Sequence, residues 1–174
     1  MEIDIEEFKQ YNDNKEYVLE KVKVQGKLLE YASQNLQDDE EVVKMAVTQD
    51  GEALEFASER LKDNKEIIMT AIKTAPWVAF YASEKLKDDK ELILESVKDC
   101  GQTLYYASQR LRDDEEVVKT AVKNKGIIIK YASYRLRNNK EIAKIAIEQD
   151  KRAYHFLTQE LKNDEEIKDF VANA

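Results

Sequence analysis

Histidine and cysteine each occur once in this chain, as His155 and Cys100; proline also occurs once, as Pro76, and glycine four times. One cysteine excludes an internal disulfide and fits a reducing compartment. The two scarce ligand-type residues are separated by a little over two sequence repeats (described below). With packed helices about 10 Å apart, that places them on the order of 20 Å from each other, too far for a catalytic dyad or a shared metal. The scarcity of glycine and proline excludes collagen-like and low-complexity classes. No window approaches about 18 consecutive apolar residues, so no membrane span is expected. The amino terminus, Met1 to Phe8, carries neither a basic n-region nor an apolar run. A classical secretory signal is therefore not expected, and the default expectation is a cytoplasmic location, although specialised export leaves no such mark. Lys and Arg number 28 against 36 Asp and Glu, a net charge of −8, which disfavours generic nucleic-acid binding.

What the chain does have is a repeat. Alanine falls at 32, 57, 82, 107 and 132, and leucine at 36, 61, 86, 111, 136 and 161, a period of 25 residues. A fixed period of about 20–50 residues is the signature of stacked supersecondary units. Apolar residues at 43% and charged residues at 37% suit an all-helical protein. In the copy from Asp38 to Lys62, Asp38 and Glu41 have capping-box spacing. Val42, Val43, Ala46 and Val47 share one arc of a helix, which predicts a first helix over roughly 39–49. Gly26, Gly51, Gly101 and Gly126 are matched by Pro76. Proline suits the first turn of a helix and cannot take a positive φ, so this position marks the start of a second helix of about ten residues. Ala53, Leu54, Ala57 and Leu61 form its buried stripe. Two such short rods cannot bury their apolar faces alone, but stacking on neighbouring pairs does so. The expectation is an all-α solenoid of two-helix repeats, about fourteen short helices in one array over 1–174. It divides into a half-repeat cap at 3–12, six repeats over 13–162 and a capping helix at 163–174.

The wording Tyr-Ala-Ser-x-x-Leu-[Lys/Arg]-x-Asp-[Lys/Glu]-Glu-[Val/Ile]-[Val/Ile], as in Tyr106 to Val118, resembles an uncharacterised bacterial and protist helical-repeat family known only as a domain of unknown function. The resemblance runs from about Asp13 to Glu166 in five near-identical copies. It implies a helical repeat and transfers no catalytic residue. Lys21, Leu157 and Thr158 depart from the pattern, as terminal caps would.

Several columns recur with the period and carry side chains able to form sites. The aromatics Tyr31, Phe56, Tyr81, Tyr106, Tyr131 and Phe156 border the buried stripe, and a cation four residues on predicts a local stacking pair. The serines Ser33, Ser58, Ser83, Ser108 and Ser133 have no base nearby in sequence, so a small residue with a hydroxyl-to-carbonyl bond is expected rather than a nucleophile. The cations Arg60, Lys62, Lys85, Lys87, Arg110, Arg112, Arg135 and Arg137 run beside acidic caps and read as dipole complements. No enzyme, cofactor or metal site is expected. The informative signal lies where copies differ. Positions equivalent to 52, 55, 59 and 62 should face solvent, and in the second copy they are Glu52, Glu55, Glu59 and Lys62. In the middle of the array these rows, with their neighbours, hold Trp77, Phe80, Tyr105, Arg112, Ile127, Tyr134 and Arg137. An exposed face carrying aromatics beside arginines has the composition of an interaction hot spot. The expected partner is a protein or peptide rather than nucleic acid or membrane, and self-association would use the same face. Two other functions fit the charge pattern less well: an acidic mimic that inhibits a nucleic-acid enzyme, and a binder of single-stranded RNA.

Overall fold

The computed structural model describes residues 4–173. Residue 3 of the expected amino-terminal cap and residue 174 of the expected last helix lie outside that range. The chain divides into two compact units, one through Leu86 and one from Lys87 onward. Each unit is an α-solenoid stack of short paired rods.

The first rod of each repeat is an α-helix, as in Glu40–Gln49, Lys90–Asp99, Glu115–Asn124 and Lys140–Gln149. Its buried face follows the helical period: Val42, Val43, Ala46 and Val47 in one copy, Val117, Val118, Ala121 and Val122 in another, all fully buried. Burying each such valine is worth about 1.5–3 kcal/mol. The helix is capped one residue later than the spacing predicts. The second acid of the pair, Asp39, is the N-cap, accepting from the amides of Glu41 (3.0 Å) and Val42 (3.1 Å). Asp38 is left for another task, described below.

The second rod departs from the expected continuous helix. It opens as a six-residue 3-10 helix, as in Gly51–Phe56 and Gly126–Tyr131, and Pro76 opens the equivalent Pro76–Tyr81. It then breaks at an extended Ala–Ser step, where Ala57 has φ −69° and ψ 153°, and resumes as a single α turn, Glu59–Lys62, or as a short 3-10 turn, Leu86–Asp88 and Leu111–Asp113. Side chains eclipse every third residue in a 3-10 helix. Gly51, Leu54 and Ala57 therefore line one buried row, and Gly126, Ile129 and Ala132 repeat it. Glu52 and Glu55 fall on an outward row. The glycine opens the rod because the next repeat lies against it. A Cβ on Gly101 would sit 2.6 Å from the carbonyl oxygen of Ala121. The Gly101 amide instead donates to Asn124 Oδ1 at 2.8 Å, and that of Gly51 to Thr74 Oγ1 at 2.8 Å.

Within each unit the first rods pack on one another, and so do the 3-10 rods, giving two layers with the apolar core between them. Register between repeats is fixed by polar pairs. Lys15 bonds Asp39 (2.8 Å), Lys90 bonds Asp114 (2.9 Å) and Lys140 reaches Asp164 (2.8 Å), in each case the N-cap of the following first rod. Where that cap is an asparagine, the preceding repeat carries glutamate: Asn64 donates to Glu40 at 3.3 Å, and Glu115 stands one repeat before Asn139. Charge at one position is thus matched to the cap one repeat on. No helix among the described residues is long and apolar enough to cross a membrane.

Candidate interaction surface

The serine column is an N-cap and an inter-repeat latch rather than a donor to a carbonyl. Ser58 Oγ accepts from the Leu61 amide (3.3 Å) and donates to Asp38, which closes the preceding second rod. Ser33 to Asp13 (2.5 Å) and Ser83 to Asp63 (2.5 Å) repeat the contact, as do Ser108 to Asp88 and Ser133 to Asp113. Thr158 keeps the role in the last copy, donating to Asn138. The serine amide adds a backbone bond to a carbonyl in the short turn that closes the preceding repeat, 2.8 Å from Ser133 to Arg112.

The arginine expected to stack on its own repeat's aromatic goes to the same aspartate. Arg60 donates from Nε to Asp38 Oδ1 (2.9 Å) and from a terminal nitrogen to the Asp38 carbonyl (2.5 Å). Arg110 on Asp88 and Arg135 on Asp113 do the same. The hydroxyl of Ser133, then Arg135, hold the Asp113 carboxyl below the usual carboxylate range. Ser108 and Arg110 do so for Asp88. Arg60, Arg110 and Arg135 and the first aspartate of each acidic pair are therefore one ladder of latches rather than two separate ridges.

Against this neutralised ladder, the residues expected on the partner-facing surface stand as follows. In the unit through Leu86, Trp77 is 46% exposed. Phe80 is half-buried, its ring 3.8 Å from that of Tyr81. In the unit from Lys87, Tyr105 is 51% exposed and Tyr134 58%. Tyr105 packs edge-on against Tyr106 (4.9 Å between ring centres) and at a tilt against Tyr131 (4.8 Å), so its ring is held in place while one side faces solvent. Ile127 is half-buried. Arg112 and Arg137 are also half-buried rather than fully exposed. The reason is visible in the equivalent Lys62, whose ammonium lies 5.7 Å from the Tyr81 ring of the next repeat. At this position the charged end of the side chain reaches the neighbouring repeat, which covers much of it.

Two features escaped the sequence reading. Arg112 and Arg137 have buried Nε atoms without a hydrogen-bond partner among the described residues, and neither pairs with a carboxylate there. Arg137 still uses one terminal nitrogen on the Phe156 carbonyl (3.3 Å) and lies 5.9 Å from the Tyr134 ring. Arg112 lines a cavity of about 210 Å³ together with Gln109, Tyr131, Ala132, Ser133 and Tyr134. The signal was present in the sequence: Arg60, Arg110 and Arg135 each have an aspartate 22 residues earlier, whereas the same offset from Arg112 and Arg137 reaches Lys90 and Glu115, and Glu115 is engaged by Arg135.

The described residues contain no cluster of three or more His, Cys, Asp or Glu side chains able to hold a metal ion. Cys100 is a half-buried free thiol, and His155 is exposed. No curated protein and no solved structure matches the chain. A family profile matches five overlapping stretches, 14–62, 39–87, 64–112, 89–137 and 114–162, each advanced by one repeat. On those matches, which cover most of its length, the chain belongs to the family described as Domain of unknown function (DUF4116).

Proposed function

We propose that the chain is a non-enzymatic scaffold that binds a protein or peptide through the outward side of its second rods, with Trp77, Phe80, Tyr105, Ile127 and Tyr134 as apolar anchors and Arg112 and Arg137 beside them. One observation carries the reading: Tyr105 and Tyr134 are more than half exposed at positions where the second repeat carries Glu55 and Glu59. Large rings held rigidly at a surface cost little entropy on binding and dominate interface energies. The latches support this reading over an acidic mimic of nucleic acid, because Asp38, Asp88 and Asp113 are engaged by serine and arginine. The same latches engage Arg60, Arg110 and Arg135, which leaves few free cations to track an RNA backbone.

The test is capture from a lysate of the source cells by immobilised wild type and by the Trp77→Ala/Tyr105→Ala/Tyr134→Ala variant, with retained proteins identified by mass spectrometry. A protein retained by the wild type and lost from a variant of unchanged melting temperature is the expected result. Identical retained sets would remove the proposal.

A further inference from the structure

We infer that the Arg112 cavity is a carboxylate-recognition pocket that takes an Asp or Glu side chain, or a chain terminus, of the bound peptide; this rests on the scaffold reading and names its partner's chemistry.

Three observations converge. First, Arg112 is a guanidinium with a buried, unpartnered Nε and no carboxylate partner among the described residues. Leaving a charged donor without an acceptor is costly in a folded protein, and an incoming carboxylate supplies the planar pair of oxygens that a guanidinium fork matches. Second, the position is not idle by construction. Arg137, its equivalent one repeat on, caps the Phe156 carbonyl, and Lys162, two repeats on, donates to the His155 carbonyl (2.6 Å). Arg112 has a cavity of about 210 Å³ beside it instead. Third, the walls suit an anion with an apolar stem. Tyr131 and Tyr134 line the cavity with aromatic side chains, and a tyrosine hydroxyl and the Gln109 amide are groups that can donate. The nearest acids do not compete: Asp113 accepts from Ser133 and Arg135, and Glu115 pairs with Arg135 at 3.2 Å. The pocket therefore presents net positive charge on a chain whose total is −8. Tyr134 belongs to both the pocket and the anchor set, so an acidic residue placed next to an apolar one in an extended segment would meet both.

The probe is fluorescein-labelled hexaglutamate, read by anisotropy against hexaglutamine. The wild type should bind hexaglutamate and not hexaglutamine. Arg112→Gln should weaken hexaglutamate binding roughly tenfold or more, while Lys123→Gln, an equal charge change at an exposed lysine of the following repeat, should leave it unchanged. Arg112→Lys keeps the charge and stem but loses the fork, and should be several-fold weaker; it serves as the second variant if Arg112→Gln does not fold. Equal binding by wild type and the Arg112 variants, or no hexaglutamate binding by the wild type, overturns the inference. Displacement by inorganic phosphate at lower concentration than by acetate would assign the pocket to phosphoryl groups and overturn the carboxylate assignment. If Arg112 proves irrelevant while the triple aromatic variant still loses its partner, this pocket fails and the scaffold stands. If that variant keeps its partners, the scaffold itself fails.

Discussion

Residues 38–62 and 88–137 are built from the same parts and show solvent different chemistry. Both have valine- or isoleucine-faced first rods, 3-10 second rods and Ser–Asp–Arg latches between repeats. The outward positions differ. Glu52, Glu55 and Glu59 occupy them in the second repeat, and Tyr105, Ile127 and Tyr134 occupy the same rows in the fourth and fifth. The skeleton repeats because every buried row must meet the next copy. The outward row meets water and only the rims of neighbouring side chains such as Tyr81 and Tyr131, so it can vary between copies at little cost to the stack. In a repeat protein, the positions that break the period are therefore the ones to read for function.

The comparison can be broken most forcefully at its shared skeleton. Gly51→Ala and Gly126→Ala each push a Cβ into a backbone carbonyl of the following repeat, that of Ala71 and Ala146 respectively. Each should cost about 1–3 kcal/mol, the usual cost of overpacking, with a matching drop in melting temperature. A drop in only one of the two would mean that the units are not equivalent in build. Next in size comes the face. Tyr105→Ala/Tyr134→Ala should weaken partner binding by about 2 kcal/mol or more, roughly thirtyfold, at unchanged stability. Glu55→Ala/Glu59→Ala in the other unit should leave the affinity within a factor of two or so.

Smaller effects are expected at the register pairs. Lys90→Glu places a glutamate before Asp114 and should lower the melting temperature. Adding Asp114→Asn recreates the Glu40–Asn64 arrangement and should recover most of the loss. Smallest are the pH limits, which differ between the units. Tyr81 is pushed up to about 12, first by burial and then by its bond to Glu55. Its contribution is complete below pH 10, the ordinary phenol value, and is lost as pH rises through about 12. Glu166 is pulled down to about 2, chiefly by bonds to Lys144 and Lys140. Its contribution is present above the ordinary value near 4.5 and is lost as pH falls through about 2. Hydrogen exchange should therefore show 165–173 loosening at the acid end and the region of Tyr81 at the alkaline end. The reverse order would contradict these environments.

Much of this architecture can be read from the period alone, because a 25-residue recurrence of alanine and leucine leaves few ways to bury them. The start of the second rod was legible at Pro76, a residue that excludes a glycine-type C-cap. The nature of that rod was not. Buried residues at Gly51, Leu54 and Ala57 fit both a helix of 3.6 residues per turn and one of three over so short a span, and the Ala–Ser break leaves no apolar signature. The N-cap was misplaced by one residue because two adjacent aspartates compete for it. Only the latch, contributed by the next repeat, decides that Asp38 faces Ser58 and Arg60. The face was legible as a departure from the pattern, whereas the isolation of Arg112 depends on where Arg135 and Asp113 reach, which no local reading contains.

The most direct measurement is hydroxyl-radical footprinting of tyrosines with and without the captured partner. Tyr11, 49% exposed in the first unit, is the internal reference for Tyr105 and Tyr134 in the second. The account predicts that Tyr105 and Tyr134 lose reactivity on binding while Tyr11 keeps it. Protection of Tyr11 with Tyr105 and Tyr134 unchanged would contradict it.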